Sequence, residues 1–381
     1  MKNEPKKQFE EYEELEEYTD DDELNFIDIA EDEKEEKENE EIEESFEESV
    51  EPVKKSGVKI VQAVIGIVML LGILAAVFMI IRWQRGKDLV INRDELSEDY
   101  STEKMDYIEY FDPTSVEGYF YDGTWDILIL GDQMLYGEDE ENGVAGQIRK
   151  NTGANVTALS LPDASISMKN ANYSLDDPED AFSLYCLILC MTATETPDYA
   201  LQTGALSYMK DAAIYKDYIE KLAAIDMNSI DTIILSCGLY DYLEEHPTIV
   251  GGYKADNPYG EPSGVDGALY EVINMLRSRY PDKQIIVSSP TFCMVKDKDG
   301  SLIGADLYMT KDGSLGDYVG GMATVTAALN TSFVDNYFGA GFTCDNYDAF
   351  LTEDGQSLTQ KGAKAVADHI GSFLYDPNYA K

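Results

Sequence analysis

Residues 60–81 (IVQAVIGIVMLLGILAAVFMII) form an apolar run of 22 residues in which Gln62 is the only polar side chain. At about 1.5 Å rise per residue, a helix of that length crosses the ~30 Å hydrocarbon core of a bilayer. The run is too long and too far along the chain for a signal-peptide core, and no small-residue cleavage site follows it. It predicts one transmembrane helix within 58–84 and so divides the chain into two parts exposed to water. Lys54, Lys55 and Lys59 flank one side; Arg82, Arg85 and Lys87 flank the other, with Trp83 at the interface. These flanks balance, so the positive-inside rule chooses no orientation. The lack of a leader before the first part favours a cytoplasmic amino end and an extracellular carboxyl-terminal domain.

Charge separates the two parts further. The chain has 381 residues and a net charge of -45. Residues 1–52 hold 25 Asp and Glu against 5 Lys, which gives -20, and the remaining -25 is spread over the rest. A segment this charged and this poor in apolar residues cannot bury enough surface to offset the entropy of ordering, so 1–57 reads as a disordered acidic tail. It is either simply solvated or a docking site for a basic cytoplasmic partner. The overall acidity excludes nucleic-acid binding through a basic surface. Five cysteines without close pairing exclude a disulfide scaffold and a CxxC metal site, and two histidines exclude a His-rich one. No metal or cofactor is expected.

Residues 85–123 lack a clear period and read as a juxtamembrane spacer whose Tyr-rich end packs on the domain that follows, 124–381. There the pattern becomes regular. Strand-like runs at 126–132, 155–161, 231–238, 283–290 and 332–337 alternate with helical stretches at 143–153, 180–195, 207–226, 267–281, 317–330 and 358–374. Such alternation predicts a parallel sheet covered by helices on both faces. Cys186 and Cys190 share one face of a short apolar helix and read as core residues.

Four loops carry the chemical signal. They are Gly131-Asp132-Gln133 after the first strand, Leu161-Pro162-Asp163-Ala164-Ser165 after the second, Gly238-Leu239-Tyr240-Asp241-Tyr242 after the third, and 353–362 (EDGQSLTQKG) before the last helix. In open α/β sheets, ligands bind at the carboxyl ends of the strands. Their order and spacing, from about Trp125 to Leu374, resemble the SGNH or GDSL hydrolase family. That family runs strand-GDS, a Gly-containing loop, a G-x-N-D loop and D-G-x-H-L-T-x-x-G. Asp354-Gly355, Leu358-Thr359 and Gly362 fit the last motif most closely. The resemblance implies a three-layer α/β/α, flavodoxin-like domain, and an esterase-type site of Ser nucleophile, Asp-His pair and oxyanion donors.

The reacting groups of that site are replaced here. Gln133 stands at the nucleophile position, Asp163 at the oxyanion Gly, Tyr240 at the Asn and Ser357 at the His; Asp132, Asp241 and the triad-type Asp354 remain. An amide offers no nucleophile for a base to activate. A serine hydroxyl does not take up a proton at neutral pH as imidazole does. A carboxylate at 163 opposes an oxyanion, reversing an effect worth about 3–4 kcal/mol per donor. Relocated groups are the alternative. Ser160, Ser165, Ser288, Ser289 and Cys237 lie near strand ends, and His246 is the histidine expected to approach the cleft, His369 lying well into the last helix. A Ser165–His246 pair would make an esterase, deacetylase or acyltransferase. Without it, Asp132, Gln133, Asp163, Tyr240, Asp241, His246 and Ser357 are expected to line a polar cleft. Such a cleft suits a cell-envelope glycan or a protein ligand.

Overall fold

The computed structural model describes residues 104–376 except 118 and 120. The acidic tail 1–57, the apolar span 58–84 and the first part of the spacer lie outside the described residues. Among the described residues, no helix is long and apolar enough to cross a membrane.

The chain runs Asp126–Gly131 (β1), Val144–Thr152 (α1), Asn155–Ser160 (β2), Leu184–Thr192 (α2), Ala200–Ala205 (α3), Ala212–Ala223 (α4) and Thr232–Ser236 (β3). It continues with Leu239–Leu243 (α5), Val265–Arg279 (α6), Gln284–Ser288 (β4), Met294–Lys296 (β5), Leu302–Gly304 (β6) and Leu315–Ala328 (α7). The last elements are Ser332–Val334 (β7), Asn336–Gly339 (α8), Tyr347–Phe350 (α9) and Gln360–Gly371 (α10). Five strands make one sheet in the order β2-β1-β3-β4-β7, with every pairing parallel. That is the order of the flavodoxin-like doubly wound sheet. The strand ends expected from sequence hold to within a few residues.

Burial explains why these runs become strands. β1 is buried from Ile127 onward, and β3, β4 and β7 are buried throughout. A central parallel strand is covered on both faces and therefore needs an unbroken apolar run. β2 pairs on one side only, and its Asn155, Thr157 and Ala158 face solvent. Helices α1 and α10 pack together, and α6 packs on both α2 and α7, which gives the flanking layers. Helix ends follow their caps: the Ser183 side chain accepts from the Cys186 N–H, Thr359 accepts from Gly362, and Ser314 with Asp317 forms a capping box.

Two pieces go beyond the expected alternation. Residues 291–314 form an insertion built on the antiparallel pair β5–β6. Met294 donates its N–H to the Gly355 carbonyl at 2.8 Å, which fastens the insertion to the loop before α10. Residues 105–109 form a strap along β7. Tyr107 and Phe333 exchange backbone hydrogen bonds of 3.0 and 2.8 Å, the Met105 N–H reaches Asp335 at 2.9 Å, and the Glu109 N–H reaches the Ser332 hydroxyl at 3.0 Å. His369 completes the attachment, with Nε2 3.0 Å from Asp106 and Nδ1 3.0 Å from Asn336. The strap is antiparallel to β7, so its Met105 end lies at the carboxyl end of the sheet. At the opposite end, Glu109, Phe111, Arg277, Lys283 and Asn330 line a cavity of about 390 Å³.

Candidate functional site

The loops after β2, β1 and β3 leave adjacent strands and are stitched together by backbone bonds. Leu161 donates its N–H to Gly131 at 3.2 Å, Asp132 donates its N–H to Ser236 at 3.1 Å, and the Ser160 hydroxyl reaches the Leu135 carbonyl at 3.2 Å. The fourth loop joins them through side chains, since the Gln133 amide donates to the Gln356 side-chain oxygen. The strand-end position is thus occupied by a pair of primary amides, each holding a donor or acceptor in reserve.

Asp354 keeps the place of a triad acid but serves its own loop. Its carboxylate accepts the Gln356 and Ser357 N–H groups at 2.8 and 2.9 Å and the Thr352 and Ser357 hydroxyls at 2.6 and 2.7 Å. Partial burial pushes its pKa up, but these four donors outweigh that and hold it at about 2. Gly355 supplies the turn, with φ of 75°; a Cβ there would lie 2.6 Å from that of Met294. Gly362 is needed for close approach, because a Cβ would come within 2.1 Å of the Phe350 carbonyl. The motif glycines therefore have packing reasons independent of catalysis.

Asp163 is half-buried and accepts a hydrogen bond from the Tyr215 hydroxyl. Burial raises its pKa, and the phenol offsets part of that rise. Tyr240 is also half-buried and sets its ring edge-on to His246, with centroids 6.4 Å apart.

Beneath these groups lies a buried layer. Asp132 is 2% exposed and accepts the Met134 and Leu239 N–H groups at 3.0 and 2.9 Å. Burial dominates its titration and raises the pKa to about 7 despite those bonds. Asp241 is fully buried and accepts the Ile166 and Ser167 N–H groups at 2.6 and 3.0 Å and the Ser167 hydroxyl at 2.7 Å. His246, 5% exposed, places Nδ1 2.9 Å from the Ser167 hydroxyl and 3.4 Å from Asp241, while its Nε2 has no hydrogen-bond partner. Burial lowers the imidazole pKa, but the Asp241 carboxylate more than compensates and leaves it raised.

The seven residues expected to line one cleft therefore divide. Gln133, Asp163, Tyr240 and Ser357 remain partly accessible, whereas Asp132, Asp241 and His246 are buried inside the framework. The alternative Ser165–His246 pair does not form. Ser165 donates to the Ser167 carbonyl at 2.6 Å, and the partner of His246 is Ser167 instead. The reason is geometric: Asp241 draws the 166–167 backbone inward, and Ser167 with it. Other candidate nucleophiles are also committed. Ser288 and Ser289 are buried against Asn336, with hydrogen bonds of 2.7 and 2.9 Å, and Cys237 is 4% exposed. Burial raises the Cys237 thiol well above its ordinary range, with Asp132 and Asp241 adding to the effect. Cys186 is a core residue beside Met168, and Cys190 is half-buried next to it.

Sequence reasoning passed over Ser167, Tyr215 and Gln356. Gln356 sits at the variable position of a motif, and Tyr215 comes from a helix with no motif at all. Ser167 carried a weak signal, lying two residues beyond Ser165. Among the described residues, no three His, Cys, Asp or Glu side chains gather as a metal-holding group.

No protein-family model matches this chain, and no curated protein matches it in sequence. Solved structures do. A protein from Lactobacillus plantarum is 14% identical with a TM-score of 0.45, the match covering 67% of this chain and 98% of that one. A GDSL-like lipase from Bacteroides ovatus is 10% identical with a TM-score of 0.38, covering 66% and 98%. A salicylyl-acyltransferase from a tetracycline biosynthetic pathway is 12% identical with a TM-score of 0.37, covering 65% and 53%. The α/β assignment itself rests on this chain's own sheet order and on the four loops gathered at one end of its sheet.

Proposed function

We propose that this chain is a single-pass membrane protein whose outer domain is SGNH hydrolase-like but catalytically degenerate, and that it works by binding a cell-envelope glycan or a partner protein. The observation that carries this reading is the bond between the Gln133 and Gln356 amides at the nucleophile position. Beside it, Asp354 at the triad-acid position is saturated by donors from its own loop. Acyl transfer needs a nucleophile, a base within reach of it and a donor for the oxyanion. Gln133, Ser357 and Asp163 supply none of these at the corresponding places. What they do supply, with Tyr240, is amide, hydroxyl, carboxylate and aromatic surface, which suits hydroxyl-rich or peptide ligands.

The test is restoration. Gln133→Ser, Asp163→Gly, Tyr240→Asn and Ser357→His together should give the detergent-solubilised chain measurable turnover of p-nitrophenyl acetate, where the parent gives none. A folded but inert quadruple variant would remove the positional assignment on which the reading depends.

A second reading is an esterase, deacetylase or acyltransferase using relocated groups. It draws support from Asp241 and His246, which meet through Nδ1 and leave Nε2 without a partner, as in an acid–imidazole pair. Turnover of acetylated glycans by the unaltered chain, abolished by His246→Ala, would favour it. For the acidic tail, salt-sensitive capture of a basic cytoplasmic protein by residues 1–52 would reveal a recruiting role.

A further inference from the structure

The cavity at the amino end of the sheet has the strap and the residues that follow it as one wall. Side chains alternate along this stretch: Tyr107, Glu109 and Phe111 are partly buried, while Ile108 and Tyr110 are 61% and 77% exposed. Tyr110 therefore does not plug the space. On the sheet side, Ile285 and Thr331 are buried. A volume of about 390 Å³ lies within the range of small-molecule sites, about 300–1,000 Å³.

The charges of this cavity are set apart rather than paired. Glu109 stands on the strap and Arg277 on the last turn of α6. Burial lowers the Arg277 pKa and the Glu109 carboxylate raises it, so the two charges act on each other; among the described residues they form no contact ion pair. Each is held by other groups. The Tyr107 hydroxyl donates to Glu109 at 2.6 Å, and the terminal nitrogens of Arg277 donate to the Leu329 and Asn330 carbonyls. Those carbonyls lie just past α7, so a helix end orients the guanidinium while further N–H groups stay free for another acceptor. Closing α7 accounts for Arg277 by itself, but it leaves Glu109 without a cation in contact. The remaining charge, Lys283, is matched by Asp282 at 2.8 Å. Phe111, Pro281 and Ile285 supply the apolar part of the wall.

A lone anion entering here would face Glu109, and a lone cation would face Arg277. A molecule that carries both charges closes the gap, because its carboxylate accepts the remaining Arg277 N–H groups and its ammonium donates to Glu109. We propose that the cavity beside the strap binds a free α-amino acid with an apolar side chain, its carboxylate on Arg277, its ammonium on Glu109 and its side chain against Phe111, Pro281 and Ile285. Bound there, the ligand ties the strap to the end of α6. The cavity lies at the opposite end of the sheet from Gln133, so this site is independent of what the cleft binds.

Calorimetric titration of the full, detergent-solubilised chain with L-phenylalanine tests this. Hydrocinnamate, which lacks the ammonium, and phenethylamine, which lacks the carboxylate, serve as half-ligands. Phenylalanine is expected to bind and to raise the melting temperature, with each half-ligand at least about tenfold weaker. Glu109→Gln, whose amide oxygen still accepts from Tyr107, should weaken phenylalanine about tenfold and leave hydrocinnamate as it was or tighter. The half-ligand comparison uses the unaltered chain, so it decides the matter even where the variant loses its fold. Equal binding of hydrocinnamate and phenylalanine would make this a plain anion site and overturn the proposal. Phenylalanine binding that Glu109→Gln leaves untouched would overturn it too, as would neither heat nor a change in melting temperature at millimolar phenylalanine.

Discussion

Asp132 and Asp241 lie under the carboxyl ends of β1 and β3, buried and bonded to backbone N–H groups, while their chain neighbours Gln133 and Tyr240 are only half-buried. The lower layer retains the residues that the hydrolase resemblance implies, whereas the upper layer keeps Asp354 and has Gln133, Asp163, Tyr240 and Ser357 at the other positions. The difference follows from what each layer does. Removing a buried carboxylate strands several N–H donors without water to replace it, whereas exchanging a cleft side chain costs little as long as the loop keeps its course. A framework of this type can therefore outlast its chemistry.

The contrast breaks most readily at Asp241. Asp241→Ala strands two backbone N–H groups and a hydroxyl in a dry site, and a loss of about 3–5 kcal/mol in urea unfolding is expected. A loss under about 1 kcal/mol would mean that the lower layer is not a framework. Asp132 gives a pH-dependent version. With a pKa of about 7 in the fold, it holds a proton that the unfolded chain has already released above about pH 4. Its contribution to stability is therefore greatest at low pH, declines as pH rises from about 4 to 7, and is level above that. Asp132→Asn cannot titrate, so its deficit against the parent should shrink between pH 5 and pH 8 by on the order of 2 kcal/mol. Paired thermal melts would show it, and a constant deficit would contradict it.

The upper layer should behave oppositely and more weakly. Asp354 sits below its ordinary pKa, so its contribution is complete above about pH 4 and is lost as pH falls toward 2. Asp354→Ala should cost about 1 kcal/mol at pH 7, the size of a lost cap, and clearly less at about pH 2, where half of the carboxylate is protonated. A cost as large as that at Asp241 would erase the distinction between the layers.

Much of the architecture was legible in the sequence, because central parallel strands must be apolar throughout, and short apolar runs such as Ile127–Leu130 and Ile285–Val287 meet that demand between turn residues. The loops at the strand ends were legible through Gly131, Gly238 and Gly355, which mark turns. The depth of individual side chains was not. Nothing in the local sequence distinguishes Asp241, which is buried, from Asp163, which is half-buried. Depth depends on which distant donors arrive: the backbone N–H groups of 166 and 167 in one case, and the Tyr215 hydroxyl in the other. The β5–β6 insertion was equally silent, its strands being only three residues each.

The strap has a consequence for where this domain begins. The last strand of a sheet offers a row of unpaired N–H and C=O groups, an invitation to any other extended chain. On β7 that row is met by Tyr107, which exchanges both backbone bonds with Phe333, while Glu109 and Met105 on either side of it bond the Ser332 and Asp335 side chains; all three precede the first strand of the sheet by about twenty residues. A fragment cut at Thr124, where the regular pattern starts, would leave this edge bare and prone to strand-to-strand aggregation. The sheet therefore includes residues 105–109 among its edges, and the part of the spacer that holds them is its seal.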